Sequence, residues 1–170
     1  ILLAAFKYVT ASGDPEKVFF PSCNFTTRVV ALGAEDDLFA SKCITTKKPA
    51  DGIVIDKLFA AGVIFNADCP VVCIFEPNRN RFALLHAGFR CLMPAVNNKG
   101  KRGRSIIQAV FEDFKFDVDE VRVWAGMGIG PCCYGAEHWP EMSDSSVDIP
   151  IGKATRGARA GKRSIDLHHL

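Results

Sequence analysis

The stretch from Asn66 to Arg90 constrains this chain more than any other part of it. Val71 to Phe75 and Phe82 to Leu85 are short apolar runs of strand character, and Glu76-Pro77-Asn78-Arg79-Asn80-Arg81 between them is a cluster of turn formers. The segment predicts a β-hairpin. A two-residue loop at Pro77-Asn78 would need a positive φ that the proline ring forbids, so the loop spans Pro77 to Asn80 and Glu76 faces Arg81. The same register sets Cys69 opposite Gly88. His86 is then a diagonal neighbour of Cys69 on one face, roughly 7 Å away between Cβ atoms. A slip of one residue would send the two side chains to opposite faces. In the predicted register, thiol and imidazole can share a metal ion or act as a Cys–His catalytic pair. The competing reading is a cysteine that packs as a small hydrophobe beside a histidine with an ordinary polar partner. Asp68 beside Cys69 and Arg90 just past His86 bring a carboxylate and a guanidinium to the same end of the hairpin.

Around this segment the pattern is one of short strands. Val18–Phe20, Arg28–Leu32, Ile53–Ile55 and Leu58–Val63 read as strands or their beginnings, and Glu35–Ala40 as a helical turn. Beyond Arg90, the basic run Asn97–Arg104 reads as a solvated loop. Ser105 is an N-cap, and Ile106, Ile107, Val110, Phe111 and Phe114 follow at helical spacing as one apolar stripe. Val118–Trp124 reads as another strand. Gly126–Gly135 holds too many glycines for a regular element, so it is a loop that turns tightly or cradles an anion through backbone N–H groups. After a polar tail, Ile165–Leu167 begins a last element. Strands and helices in mixed order predict an α+β domain.

Composition narrows the function. A net charge of +2 over 170 residues does not select nucleic acid as a partner. No apolar run reaches the ~18 residues of a membrane span. The seven cysteines are odd in number, no secretory segment precedes them, and none form a Cys-x-x-Cys pair. That argues against a disulfide scaffold, a zinc ribbon or a thioredoxin site, and predicts a reducing cytoplasm.

Four motifs, in this order, resemble the YfiH-type family, also called the laccase-domain or polyphenol-oxidoreductase family. Its members are also read as purine nucleoside phosphorylases with adenosine deaminase activity. Ala50-Asp51-Gly52 resembles the family's Ala-Asp-Gly turn, and Asn66-Ala67-Asp68-Cys69-Pro70 its Thr-Ala-Asp-Cys-x-Pro. His86-Ala87-Gly88-Phe89-Arg90-Cys91 resembles its His-Ala-Gly-Trp-Arg-Gly, with Phe89 and Cys91 replacing tryptophan and glycine. Gly128-Ile129-Gly130-Pro131-Cys132-Cys133-Tyr134 resembles its Ser-Ile-Gly-Pro-Cys-Cys-Tyr, and Ser164–Leu167 the segment opening its last third.

The resemblance implies a central mixed β-sandwich with helices packed outside, in one domain over residues 1–170 that lacks the family's C-terminal third. It implies zinc held by Cys69 and His86, with copper as the alternative under the older phenol-oxidase label. A multicopper site needs more histidines than the four present. The family's second histidine lies upstream of the Ala-Asp-Gly turn. The corresponding region, Ser41–Lys48, has none, which leaves Cys43 or His138 as a third ligand. The implied substrates are a purine nucleoside and phosphate. Arg90 serves as phosphate clamp, Gly128, Ile129 and Gly130 offer backbone N–H groups, and Asp68 orients or deprotonates. A domain that keeps the fold without turnover is the rival from another class.

Overall fold

A computed structural model describes residues 5–10, 17–31, 36–40, 43–57, 60–97, 99–126, 128–134, 151–156, 160–165 and 167. Two mixed five-stranded sheets stack face to face. The first has the order β1(Ala5–Thr10), β7(Ala60–Asn66), β2(Lys17–Phe20), β5(Cys43–Thr46), β4(Asp36–Ala40). The second runs β10(Arg122–Ala125), β8(Val71–Glu76), β9(Arg81–His86), β6(Gly52–Ile55), β3(Val29–Ala31). Helices α1(Phe89–Leu92) and α2(Ile106–Phe114) cover the outer face of the second sheet, and β11(Ile151–Lys153) pairs with β12(Arg163–Ile165) as a separate ribbon. This is the helix-flanked mixed sandwich that the resemblance implies.

Apart from its edge strand β10, which is exposed along its length, the second sheet is therefore a middle layer buried on both faces, and its inner strands carry near-continuous apolar runs for that reason. Alternation sorts their side chains. Ile53, Ile55, Val71, Phe82 and Leu84 meet Phe19, Ile44 and Ile64 between the sheets. Val54, Val72, Ile74, Ala83 and Leu85 meet Ile106, Ala109, Val110 and Phe116 beneath the helices. Gly62 lets the sheets close: a Cβ there would lie 2.8 Å from Ile53 Cδ1 and 2.9 Å from Ile55 Cδ1.

Local chemistry sets the elements that frame the site. β8 and β9 pair antiparallel from Glu76↔Arg81 to Val71↔His86, and the connection is a 3-10 turn at Pro77–Arg79 closed by Asn80 at φ 46°. Asparagine tolerates that left-handed conformation. Ser105 caps α2 through a reciprocal box with Gln108. Two expectations need correction. Asp36–Ala40 is a strand paired with β5, not a helical turn, because a neighbouring strand decides its state. The strand expected from Val118 starts only at Arg122, since residues 117–120 form a turn closed by the Glu120 N–H donating to the Asp117 carbonyl at 3.1 Å.

Candidate functional site

The site lies at one end of the sandwich, where β6 begins, β8 begins and β9 ends. The β6–β9 register, with Gly52 opposite Leu85, carries Asp51 to His86, the next pair along. The His86 backbone N–H donates to the Asp51 carbonyl at 2.7 Å, and His86 Nδ1 lies 2.7 Å from Asp51 Oδ1. Asp51 is fully buried and His86 is 7% exposed. The loop before β3 folds over this carboxylate. The N–H groups of Asn24 (3.1 Å) and Thr26 (2.6 Å) and the Thr26 hydroxyl (2.9 Å) donate to Oδ2, and the Phe25 N–H (3.1 Å) donates to Oδ1. Both carboxylate oxygens are thus saturated.

Desolvation alone would raise the Asp51 pKa, but the bonds from His86, Thr26 and Asn24 outweigh it and hold the carboxyl below its ordinary value. For His86, desolvation works downward. The hydrogen bond to Asp51 and those to the Cys69 and Cys91 thiols overcome it, so the imidazole sits well above its usual range. Asp51 therefore fixes the ring's orientation and commits Nδ1, which leaves Nε2 as the nitrogen available to other partners.

Cys69 and His86 come together. A Cβ built on Gly88 would lie 3.1 Å from Cys69 Sγ, 3.4 Å from His86 Cε1 and 3.3 Å from Phe25 Cδ1, so the bare glycine is what lets the three groups converge. The Phe25 ring centroid is 5.4 Å from that of His86. The ring packed against His86 thus belongs to the loop before β3, not to the region 41–48 where a second histidine was sought. Cys91 stands where the family motif has glycine, fully buried in the first turn of α1. Asp51 reads in the sequence only as part of a turn.

The remaining candidates are spread more widely. Asp68 is exposed, and its carbonyl accepts the Ile129 N–H at 2.6 Å, so that N–H is committed within the protein. Gly128 packs on Pro70, where a Cβ would come within 2.8 Å of the Pro70 nitrogen. Gly130 accepts the Cys133 and Tyr134 N–H groups, each at 3.1 Å. Arg90 is exposed in α1 and, with Phe25, Thr27, Met93, Pro94 and Ala95, lines a cavity of ≈ 390 Å³. Cys43 opens β5, its side chain outside the described residues, as is all of His138.

Among the described residues, one donor group suits a metal. Cys23, Asp51 and His86 offer ligand atoms within 4.8 Å of one another, a spacing at which three donors can share an ion. The Cys23 thiol, pushed up to about 12 by desolvation and then by the Asp51 charge, acts there as one more donor to Asp51. One imidazole, one thiol and one carboxylate fit a single borderline-soft ion such as zinc, and do not fit a multicopper centre.

A family model described as multi-copper polyphenol oxidoreductase laccase matches residues 6–170. No curated protein matches the chain. Among solved structures, YlmD from Geobacillus stearothermophilus is similar with a TM-score of 0.61 and 16% identity, over 91% of this chain and 56% of its own. The hypothetical protein YfiH from Bacillus licheniformis is similar with a TM-score of 0.59 and 15% identity, over 91% and 56%. A Neisseria meningitidis protein of the DUF152 family is similar with a TM-score of 0.56 and 21% identity, over 90% and 56%. At these identities the likeness is one of fold, and the chain spans little more than half the length of each. Among the described residues, no helix is long and apolar enough to cross a membrane.

Proposed function

From the premise that the chain belongs to the multi-copper polyphenol oxidoreductase laccase family, we propose that it acts on purine nucleosides, by phosphorolysis and by deamination of adenosine. The observation that carries this is the ≈ 390 Å³ cavity lined by Phe25 and Arg90 among others, with the Phe25 ring also packed on His86 at 5.4 Å between centroids. A cavity of that size suits a small ligand. The Phe25 face offers a base something to stack on, and the planar fork of Arg90 matches a phosphate.

The residues divide the work. Asp51 holds the His86 ring in one orientation, and Cys69 and His86 hold zinc, which supplies a Lewis acid when bound. Arg90 holds the anion in the cavity. Asp68, exposed beside Cys69, is placed to accept a substrate proton.

Purified protein is to be assayed with adenosine and inosine, with and without phosphate. Cys69→Ala and His86→Ala should each abolish turnover, and the double variant should lose no more than either, because they act as a unit. Arg90→Ala should weaken phosphate dependence more than deamination. A Cys69 variant that matches the parent would place the chemistry elsewhere. A second reading, a nucleoside-binding domain without turnover, is favoured by the Phe25 ring standing against His86. It takes over if the parent stays inert with zinc added.

A further inference from the structure

We propose that the adjacent thiols of Cys132 and Cys133 form a thiol–disulfide exchange site, which takes a low-molecular-weight disulfide and closes reversibly on itself. It does not rest on the nucleoside reading. In a strand the two side chains would point to opposite faces. Here a tight turn brings them together. Pro131 takes the second position of a turn in which the Cys133 and Tyr134 N–H groups both donate to the Gly130 carbonyl, each at 3.1 Å. The two sulfurs lie 3.1 Å apart, within hydrogen-bond reach, and neither is in a disulfide. The turn is also held from outside. The Cys132 carbonyl accepts the Thr155 N–H at 2.7 Å and the Arg156 N–H at 2.9 Å, and the Pro131 carbonyl accepts the Ser164 hydroxyl. These bonds tie the turn to the β11–β12 ribbon, so the thiol pair is organised before any reagent arrives.

The plain alternative is that both sulfurs only pack. A packing cysteine is enclosed, as Cys91 is, whereas Cys132 and Cys133 are half-buried and keep access to solvent. The exchange balances in two steps. One cysteine gives up its proton and its thiolate attacks the external disulfide; a bond forms to the protein sulfur, and one small thiolate leaves and takes up a proton. The second cysteine then attacks the protein-side sulfur of that mixed disulfide, and the other small thiol leaves in the same way. The protein has lost two hydrogens and the external disulfide has gained them. The Cys132 thiol raises the Cys133 pKa and the Arg156 charge opposes the rise, so exchange quickens toward alkaline pH. Neighbouring α-carbons stand about 3.8 Å apart across a trans peptide, short of the roughly 4.4 Å at which unstrained disulfides begin. The closed pair is therefore strained and easily reduced, which makes it an exchange site and not a staple.

The test treats the reduced full chain with oxidised glutathione, then with an excess of reduced glutathione, and locates the bonds by peptide mass mapping. The parent should gain a Cys132–Cys133 disulfide and lose it again. Cys132→Ser and Cys133→Ser, each left with one thiol of the pair, should instead hold glutathione as a mixed disulfide, at least about tenfold more than the parent holds there. Far-ultraviolet circular dichroism checks that each variant is folded. If neither is, phenylarsine oxide decides on the parent: it bridges two close thiols with release of one water, and it should be found across Cys132 and Cys133. A persistent mixed disulfide at either cysteine of the parent would overturn the proposal. So would no reaction at the pair, a bond from either cysteine to a different one, a closed pair that resists reduced glutathione, or an arsenical bound elsewhere and not across the pair.

Discussion

Replacing Asp51 by asparagine tests the organising contact of the site. The side chain keeps its shape and loses its charge and one acceptor oxygen. In the parent, five nitrogen and hydroxyl donors at 2.6–3.1 Å converge on the two oxygens. An asparagine can turn its carbonyl toward the three donors now on Oδ2, which leaves its amide N–H₂ facing the Phe25 N–H and His86. The Phe25 N–H then loses its partner, His86 must give up its proton from Nδ1, and the retained bonds lose their charge assistance. Charge-assisted bonds are worth about 1.5–3 kcal/mol net each, but a simple sum overshoots, because Asn24 and Phe25 are exposed and water can reach their N–H groups. The range for breaking a buried pair, about 3–5 kcal/mol, is the appropriate one. For a chain of this size that lowers the melting temperature by on the order of 10 °C. Urea unfolding followed by circular dichroism, with the slope unchanged, measures it. A loss under about 1 kcal/mol would show that water, not Asp51, satisfies the loop.

Two further outcomes follow from other contacts. Gly128→Ala should cost about 2–3 kcal/mol, read from the urea midpoint, because its Cβ would meet Pro70 N at 2.8 Å and Cα at 3.0 Å, backbone atoms that cannot rotate aside; a parent-like midpoint would show that the glycine loop yields freely. Glu76 is buried and held below its ordinary pKa first by the Arg81 hydrogen bond and then by the Asp117 N–H at 2.8 Å. A depressed carboxyl stabilises the fold above its unfolded pKa of about 4.3, and that contribution fades as pH falls through the folded value. Glu76→Gln should therefore flatten the acid side of the stability–pH curve, and parallel curves for parent and variant would refute the linkage.

What was legible in the sequence was local. The hairpin at residues 71–86 follows from proline at one turn position, asparagine at another and side-chain parity between them, all within a few residues. The α2 cap follows from Ser105 and Gln108 three residues apart. What was not legible depends on which strands are neighbours. Asp36–Ala40 is a strand because β5 runs beside it, and nothing in its own residues says so. Asp51 shows the same limit at the site. Ala-Asp-Gly reads locally as a turn, and only the pairing of β6 with β9 brings its carboxylate to His86, 35 positions away. The 22–28 loop was hidden for the same reason, since its anchor is a carboxylate in another strand.

These contacts link stability to chemistry through one residue. Asp51 faces two ways: its Oδ2 anchors the loop that carries Phe25, and its Oδ1 also aims the His86 ring. The loop supplies Phe25 and Thr27 to the lining of the cavity, and the ring packs against Phe25. Loosening the loop therefore frees the ring, and a metal that grips the ring would tighten the loop. Metal that binds only the ordered arrangement must stabilise the fold by mass action. The part of the protein that gains most should be residues 22–28, which make little use of the apolar core. Hydrogen exchange of the Phe25 and Thr26 amides is the sensitive place to see it, because both donate directly to Asp51.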